Sequence, residues 1–344
     1  MGETTTPAAE SSLVGSVAFG PGGSANAPAG GSSLGQKTPG NPYGAGIEVK
    51  KVMDKRRLEA IGKTVAGVCI AVMVVLVVSL IFMVAQRGLA TFLSDGVSVF
   101  EFLGGTTWAP NASEPSYGAL PMILGSFSVS LLGTLIALPV SIGSAIFVAE
   151  IAPGFGRKFF QPVIELLTGI PSVVYGLIGL TVIVAWTRSW AGGTGYGIFS
   201  GSLVLAIMIM PTITSLSIDA LAAVPQSYRD GAYGLGSTRW QVIYRVVLPA
   251  ALPALATAVI LGLTRAFGEA LAVQMVIGNA AVIPDGLFTP ASTLTSVLTM
   301  GMGNEVMGTV QSDALWSLAM LLMIMSLVFI AIIHAISRKG SVKR

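Results

Sequence analysis

Apolar positions run along this chain in long unbroken blocks, without the two-residue alternation of a half-buried strand. Six blocks, at about 64–86, 118–149, 160–187, 198–223, 249–278 and 314–336, each reach the roughly 20 residues that a helix needs to cross a bilayer. The second, third and fifth are longer than that and contain Pro121, Pro139, Pro171 and Pro253, so tilt, kinks or breaks are predicted in them. Polar stretches between the blocks read as loops, and residues 1–46, rich in Gly, Ala, Ser, Thr and Pro, read as a disordered tail. The predicted architecture is an all-α integral membrane protein with six transmembrane helices. Its parts are the tail at 1–46, a basic segment with the first span and an outer loop at 47–117, the transmembrane domain at 118–337, and a basic end at 338–344.

Composition agrees with a membrane location. Of 344 residues, 53% are hydrophobic and 10% charged, and the mean hydropathy is +0.79, which leaves too few charges for an ordinary soluble surface. The net charge of +3 does not point to nucleic acid, because the basic residues flank the apolar blocks and form no stripe with interleaved aromatics. They fit contact with membrane lipid better. Cys69 is the single cysteine, so no intrachain disulfide forms. The segment "GGSSLGQKTPG" near the start has Gln36 where a phosphate loop needs Lys, and neither a strand nor a helix pattern flanks it.

The distribution of the 19 Lys and Arg sets an orientation. With the N-terminus inside, Arg87 and Arg188 fall outside, Arg265 falls within the fifth span, and all others fall inside. Both termini and the segment 225–249 are therefore predicted to be cytoplasmic.

That segment, "PQSYRDGAYGLGSTRWQVIYRVVLP", carries no nucleotide-binding motif. Its residues run Asp230-Gly231-Ala232, then Gly236, then Val246-Val247-Leu248-Pro249. Tyr228, Ala232 and Leu235 read as one apolar helical face, and Trp240, Ile243 and Tyr244 as a second, with Gly234 and Gly236 allowing a reversal between them. The alternative is an amphipathic loop on the headgroups, with Arg229, Arg239 and Arg245 on lipid phosphates.

Charged residues inside spans are costly, about 2.5–3.5 kcal/mol each at the helix centre, so they mark pathways or structural pairs. In "LGLTRAFGEALAVQMVIGN", Arg265 and Glu269 are four apart, which on a continuous helix puts them on one face, roughly midway across the membrane. A guanidinium suits an oxyanion through its two parallel donors. A structural ion pair is the other reading of the same residues. Ser126, Ser130 and Thr134 make a small polar stripe on the second span, suited either to a hydrated path or to close helix packing. Gln274 and Asn279 continue the polar positions of the fifth span outward.

The spacing in 225–249 resembles the "EAA" signature of bacterial ABC importer permeases, with Asp230 and Gly231 standing for Glu and Ala. "RAFGEALAVQMVIGN", "GIPSVVYGLIGL" and "ALPVSIGSAIFVAEIAP" are similar to the PstC-type permease subunit of bacterial phosphate importers, over about residues 118–336. Ala270 and Leu271 depart from the Thr and Met common there. The resemblance implies the ABC importer permease fold in the bacterial plasma membrane, with a homologous PstA-type permease as heterodimer partner. It also implies two copies of an ATPase subunit docked on coupling helices, with Asp230, Gly231, Ala232, Gly236, Trp240, Leu248 and Pro249 in the docking loop. An extracytoplasmic phosphate-binding protein would deliver phosphate. This chain would bind no cofactor and catalyse no reaction, ATP and Mg being used by the ATPase. Arg265, Glu269, Ser126, Ser130 and Thr134 are the candidate pathway residues. A permease for sulfate or molybdate, or a proton-coupled transporter using Glu269, remain as alternatives.

Overall fold

The computed structural model describes residues 44–306 and 308–340. The predicted tail lies outside the described residues up to position 43, as does the end of the basic segment from 341. Contacts divide the chain into Met1–Cys69 and Ile70–Arg344. In the first unit the described part is the start of helix α1, Gly44–Leu93. The rest of α1 belongs to the second unit, where Ser317 donates to the Gly88 carbonyl at 2.7 Å and to Thr91 at 2.8 Å.

Among the described residues, six helical segments are long and apolar enough to cross a membrane: Arg57–Leu93, Leu120–Ile151, Ser172–Ala191, Ile198–Ala222, Arg239–Phe267 and Val310–Ile332. They correspond in number and order to the six apolar blocks. Beyond α1, the helices are α2 (Val99–Gly104), α3 (Leu120–Ile146), α4 (Gln161–Gly169), α5 (Ser172–Ile178) and α6 (Val184–Ala191). There follow α7 (Ile198–Ala222), α8 (Gln226–Gly234), α9 (Arg239–Val242) and α10 (Leu248–Phe267). The last three are α11 (Leu271–Ile277), α12 (Leu294–Gly301) and α13 (Val310–Gly340). Widened helical turns at Phe147–Ile151, Gly179–Ile183 and Ile243–Val247 extend α3, join α5 to α6, and join α9 to α10. A short antiparallel pair, β1 (Trp108–Ala109) with β2 (Ser116–Tyr117), folds the loop after α2.

The prolines act in different ways. Pro121 sits in the first turn of α3, where the missing N–H has no intrahelical partner to lose. Pro171 separates α4 from α5 and makes the crossing segment of the third block start at Ser172, not near 160. Pro139 and Pro253 lie inside continuous helices. The fifth block does break, but at Gly268–Ala270, where there is no proline.

The core is built where α3 lies along α7, with α10 and α11 beside them. Val129, Leu205, Ile209, Ile213, Val273 and Ile277 are buried together there. Ser202 of α7 donates to the Val129 carbonyl of α3 at 3.2 Å, and Ser141 to the Met210 carbonyl at 3.3 Å. Gly125 lets the backbone of Ser292 lie directly on α3, since any side chain there would collide with the Ser292 carbonyl. A second cluster, Ala145, Leu221, Val224, Val242, Val247 and Leu255, seals the end of the bundle that carries the 225–249 segment.

Candidate functional site

Two regions carry the chemistry anticipated from the sequence: the break in the fifth span and the 225–249 segment. Helix α10 ends at Phe267, and Gly268 follows with its N–H bonded back to the Thr264 and Arg265 carbonyls at 3.3 and 3.2 Å. The chain then leaves the helix. Thr295 donates to the Glu269 carbonyl at 2.8 Å, fixing that carbonyl outside any helical ladder. The Glu269 carboxylate turns forward and accepts from the Ala272 N–H at 3.1 Å, satisfying a donor in the first turn of α11. Arg265 and Glu269 therefore do not share a helical face, contrary to the four-residue spacing, because the helix that would align them stops between them. Glu269 is used by the helix start after the break.

Arg265 instead reaches across to α7, where its Nη1 donates to Thr212 Oγ1 at 2.6 Å. The guanidinium is exposed. Among the described residues the ion pair is Arg229 with Glu150, and Arg265 has no carboxylate at that range. A helix of 20 residues is about 30 Å long, so Arg265, in its last turn, lies nearer the end opposite the 225–249 segment than the middle.

Past the break the chain lines a cavity of about 660 Å³. Gln274 and Asn279 contribute polar groups to it, joined by Thr194 and Tyr196 from the loop after α6. A second cavity of about 300 Å³ shares Asn279 and Met300 with the first and adds Asn111, Asn304 and Glu305. Asn279 has φ 55°, in the left-handed region, and its Nδ2 donates to the Gln274 carbonyl at 3.0 Å. Arg265 and Glu269 line neither cavity. Thr194, Tyr196 and Asn304 had no signal in the sequence beyond lying in polar loops, since their convergence depends on chain folding.

The stripe Ser126, Ser130 and Thr134 is buried, at 3, 3 and 4% exposure, and lines neither cavity. Ser126 accepts from the Leu294 N–H at 2.9 Å at the start of α12, and Thr134 donates to the Ser130 carbonyl at 2.8 Å. All three are therefore packed against neighbouring backbone.

The 225–249 segment is two short helices. Pro225 precedes α8, and the reversal falls at Gly236, whose φ of 80° is strained for any residue with a side chain. Gly234 needs no such freedom and ends α8. Thr238 then caps α9 in a capping box with Gln241. Tyr228, Tyr233, Trp240 and Tyr244 stand exposed, and Leu235 is 89% exposed. Asp230 and Gly231 are exposed too, with Asp230 accepting from Gln226 at 3.0 Å. Ile243 belongs with Val242 and Val247 on the buried side and not to the outer face expected for it. Ala232 and Leu248 pack against the cluster beneath, and Pro249 opens α10.

Two arginines that could have touched lipid hydrogen-bond to the protein instead. Arg229 Nη2 lies 2.6 Å from Glu150 Oε1, both side chains being about nine-tenths buried at 12% and 10% exposure. The same guanidinium donates to the Val224 and Leu221 carbonyls at 2.6 and 2.9 Å. Arg239 Nη2 donates to the carbonyls of Glu150 and Ile151, the latter at 2.8 Å. Glu150 is the residue that sequence reasoning passed over. Its signal was a lone carboxylate at the end of the second apolar block.

Comparison with known proteins places this architecture. Residues 137–341 match the family model described as binding-protein-dependent transport system inner membrane component. A probable ABC transporter permease, YqgH of Bacillus subtilis (strain 168), is 50% identical over 289 residues, covering 83% of this chain and 94% of that one. The phosphate transport system permease protein PstC of Pasteurella multocida is 38% identical over 253 residues, covering 68% and 78%. An inward facing structure of the MetNI methionine ABC transporter is 21% identical over 64% of this chain and 94% of that one, with a TM-score of 0.47. By the family model and the extent of the YqgH and PstC matches, with its six membrane-crossing helices, the chain belongs to the binding-protein-dependent transport inner membrane components and is a multi-pass ABC importer permease subunit.

Proposed function

We propose that this chain forms part of the pathway of an ATP-driven importer of inorganic phosphate. The observation that carries the reading is Arg265, an exposed guanidinium in a membrane-crossing helix, steadied by the neutral hydroxyl of Thr212 and not by a carboxylate. Its charge stays available to an anion, and its fork fits two oxygens of a tetrahedral oxyanion. Relatives named as phosphate transport permeases support phosphate as that anion.

The exposed aromatic face of the 225–249 segment is the docking surface for an ATPase subunit, present in two copies with a homologous permease as heterodimer partner. Asp230, Gly231 and Trp240 lie on that surface. The excess of Lys and Arg on this side supports a cytoplasmic position for it and for both termini. An extracytoplasmic phosphate-binding protein meets the opposite end. Hydrolysis of ATP belongs to the ATPase, and this chain contributes passage and coupling.

The test is uptake of labelled phosphate by the assembled importer in proteoliposomes, with competing unlabelled anions. Inhibition by phosphate and not by sulfate or molybdate is expected. Preferential inhibition by sulfate or molybdate would assign the site to another oxyanion. Uptake by the isolated chain under a pH gradient, with no ATPase present, would overturn the reading altogether.

A further inference from the structure

Glu150 and Arg229 are 79 residues apart in sequence and come from elements that the fold uses differently. Glu150 stands in the widened turn that ends the second span, and Arg229 in the first helix of the exposed segment. The carboxylate takes two donors from one guanidinium, Nη2 to Oε1 at 2.6 Å and Nε to Oε2 at 3.4 Å. That fork geometry restricts rotation of either side chain. Arg229 also binds the Leu221 carbonyl in the last turn of α7 and the Val224 carbonyl just beyond it. Arg239 adds the second short helix by binding the backbone of Glu150 and Ile151. One glutamate thus ties together both helices of the segment and the ends of α3 and α7.

The surroundings make this junction stiff. Leu221, Val224, Val242 and Val247 form the apolar cluster at the same place, with Ala149 and Ala232 packed against it. Screening by water is small there, and breaking a buried pair strands a charge in apolar surroundings. Movement of the exposed segment against the spans therefore meets resistance at Glu150. Helix α7 continues from this junction to Thr212, nine residues before Leu221 and about 14 Å along the axis at 1.5 Å per residue. Thr212 is the residue that holds Arg265.

We propose that Glu150, Arg229 and Arg239 form a clamp that makes the 225–249 segment move as one body with the adjoining ends of α3 and α7. Displacement of the segment is delivered along α7 to Thr212 and Arg265, and is not absorbed in the loop. These three are positioning residues: they touch neither the transported anion nor ATP. The inference rests on the reading of the segment as an ATPase docking surface.

The test uses the whole importer in proteoliposomes, reading ATPase retention, ATP hydrolysis and phosphate taken up per ATP. Glu150→Gln keeps the shape and removes the charge. Arg229→Lys keeps the charge but loses the planar fork that reaches Oε1 and Oε2 of Glu150 from two nitrogens. Both variants are expected to retain the ATPase and hydrolyse ATP within about twofold of wild type, while uptake per ATP falls about tenfold in Glu150→Gln and less in Arg229→Lys. An unchanged ratio of uptake to hydrolysis in either assembled variant overturns the clamp. Loss of the ATPase from both variants overturns it as well, since the residues would then only shape the docking surface. Should Glu150→Gln fail to assemble, Arg229→Lys, with its charge pair intact, decides alone. A wild-type preparation that holds no ATPase overturns the coupling reading itself, and the clamp with it, before any variant is compared.

Discussion

Arg265 and Thr212 are joined by a 2.6 Å hydrogen bond that links the last turn of α10 to the middle of α7, next to Pro211. The bond gives the guanidinium a fixed direction without neutralising it. Thr212→Val removes the acceptor at nearly constant volume and frees the arginine to rotate. Phosphate uptake per assembled complex should fall about tenfold, the order of one charge-assisted hydrogen bond. Thr212→Ser, which keeps the hydroxyl, should stay within about threefold of wild type, and equal losses in the two variants would count against the positioning role.

Arg265→Gln removes the charge itself, and uptake should drop more steeply than in Thr212→Val. A structural pair with Glu269 would predict recovery in the double variant Arg265→Gln with Glu269→Gln. Glu269 accepts from the Ala272 N–H and not from Arg265, so no recovery is expected. Labelled-phosphate uptake in the three variants, normalised to assembled complex, distinguishes the two.

Gly236 turns the chain at φ 80° with open space around it, so a side chain there meets strain and no collision. Gly236→Val, β-branched at a left-handed position, costs about 1–2 kcal/mol locally and should reshape the reversal between α8 and α9. Asn tolerates that conformation better. Copurification should show the ATPase subunit lost from Gly236→Val and largely kept with Gly236→Asn.

Ser126 is buried and its hydroxyl accepts from the Leu294 N–H. Ser126→Ala leaves that N–H without its partner, a cost of about 1–3 kcal/mol. The melting temperature of the detergent-solubilised complex should fall, while the phosphate concentration for half-maximal uptake stays the same. A shift in that concentration with stability unchanged would return the stripe to the pathway.

Asp95, just beyond α1, has a carboxyl oxygen buried without a hydrogen-bond partner, and so does Asp313. Burial, and then the charge of Asp313, push the Asp95 carboxyl above the usual carboxylate range. A raised carboxyl binds its proton more tightly in the folded state. Its contribution to stability is therefore present at acid pH and lost as pH rises through the raised value. Asp95→Asn should stabilise the protein near neutral pH and flatten the fall in melting temperature as pH rises above the ordinary carboxylate range.

Much of this protein follows from its sequence alone. Six apolar blocks of bilayer length specify six spans, because a buried backbone without water must satisfy itself as helix. The spacing from Asp230 to Pro249 specified a paired-helix segment, and Gly236 proved to be the turn because a positive φ excludes most other residues. What the sequence could not decide was where neighbours intervene. Arg265 and Glu269 have the spacing of a helical pair, yet Thr295, 26 residues further on, takes the Glu269 carbonyl out of the ladder and the helix ends between them. Ser126, Ser130 and Thr134 were equally suited to water or to packing until Leu294 and its neighbours arrived against them. Glu150 and Arg229, 79 residues apart, pair only because α3 and α7 end at the same level of the bundle. Local pattern fixes helices through interactions within one or two turns. The partners of a polar side chain are set by segments distant in sequence, which only the tertiary fold brings within a few ångströms.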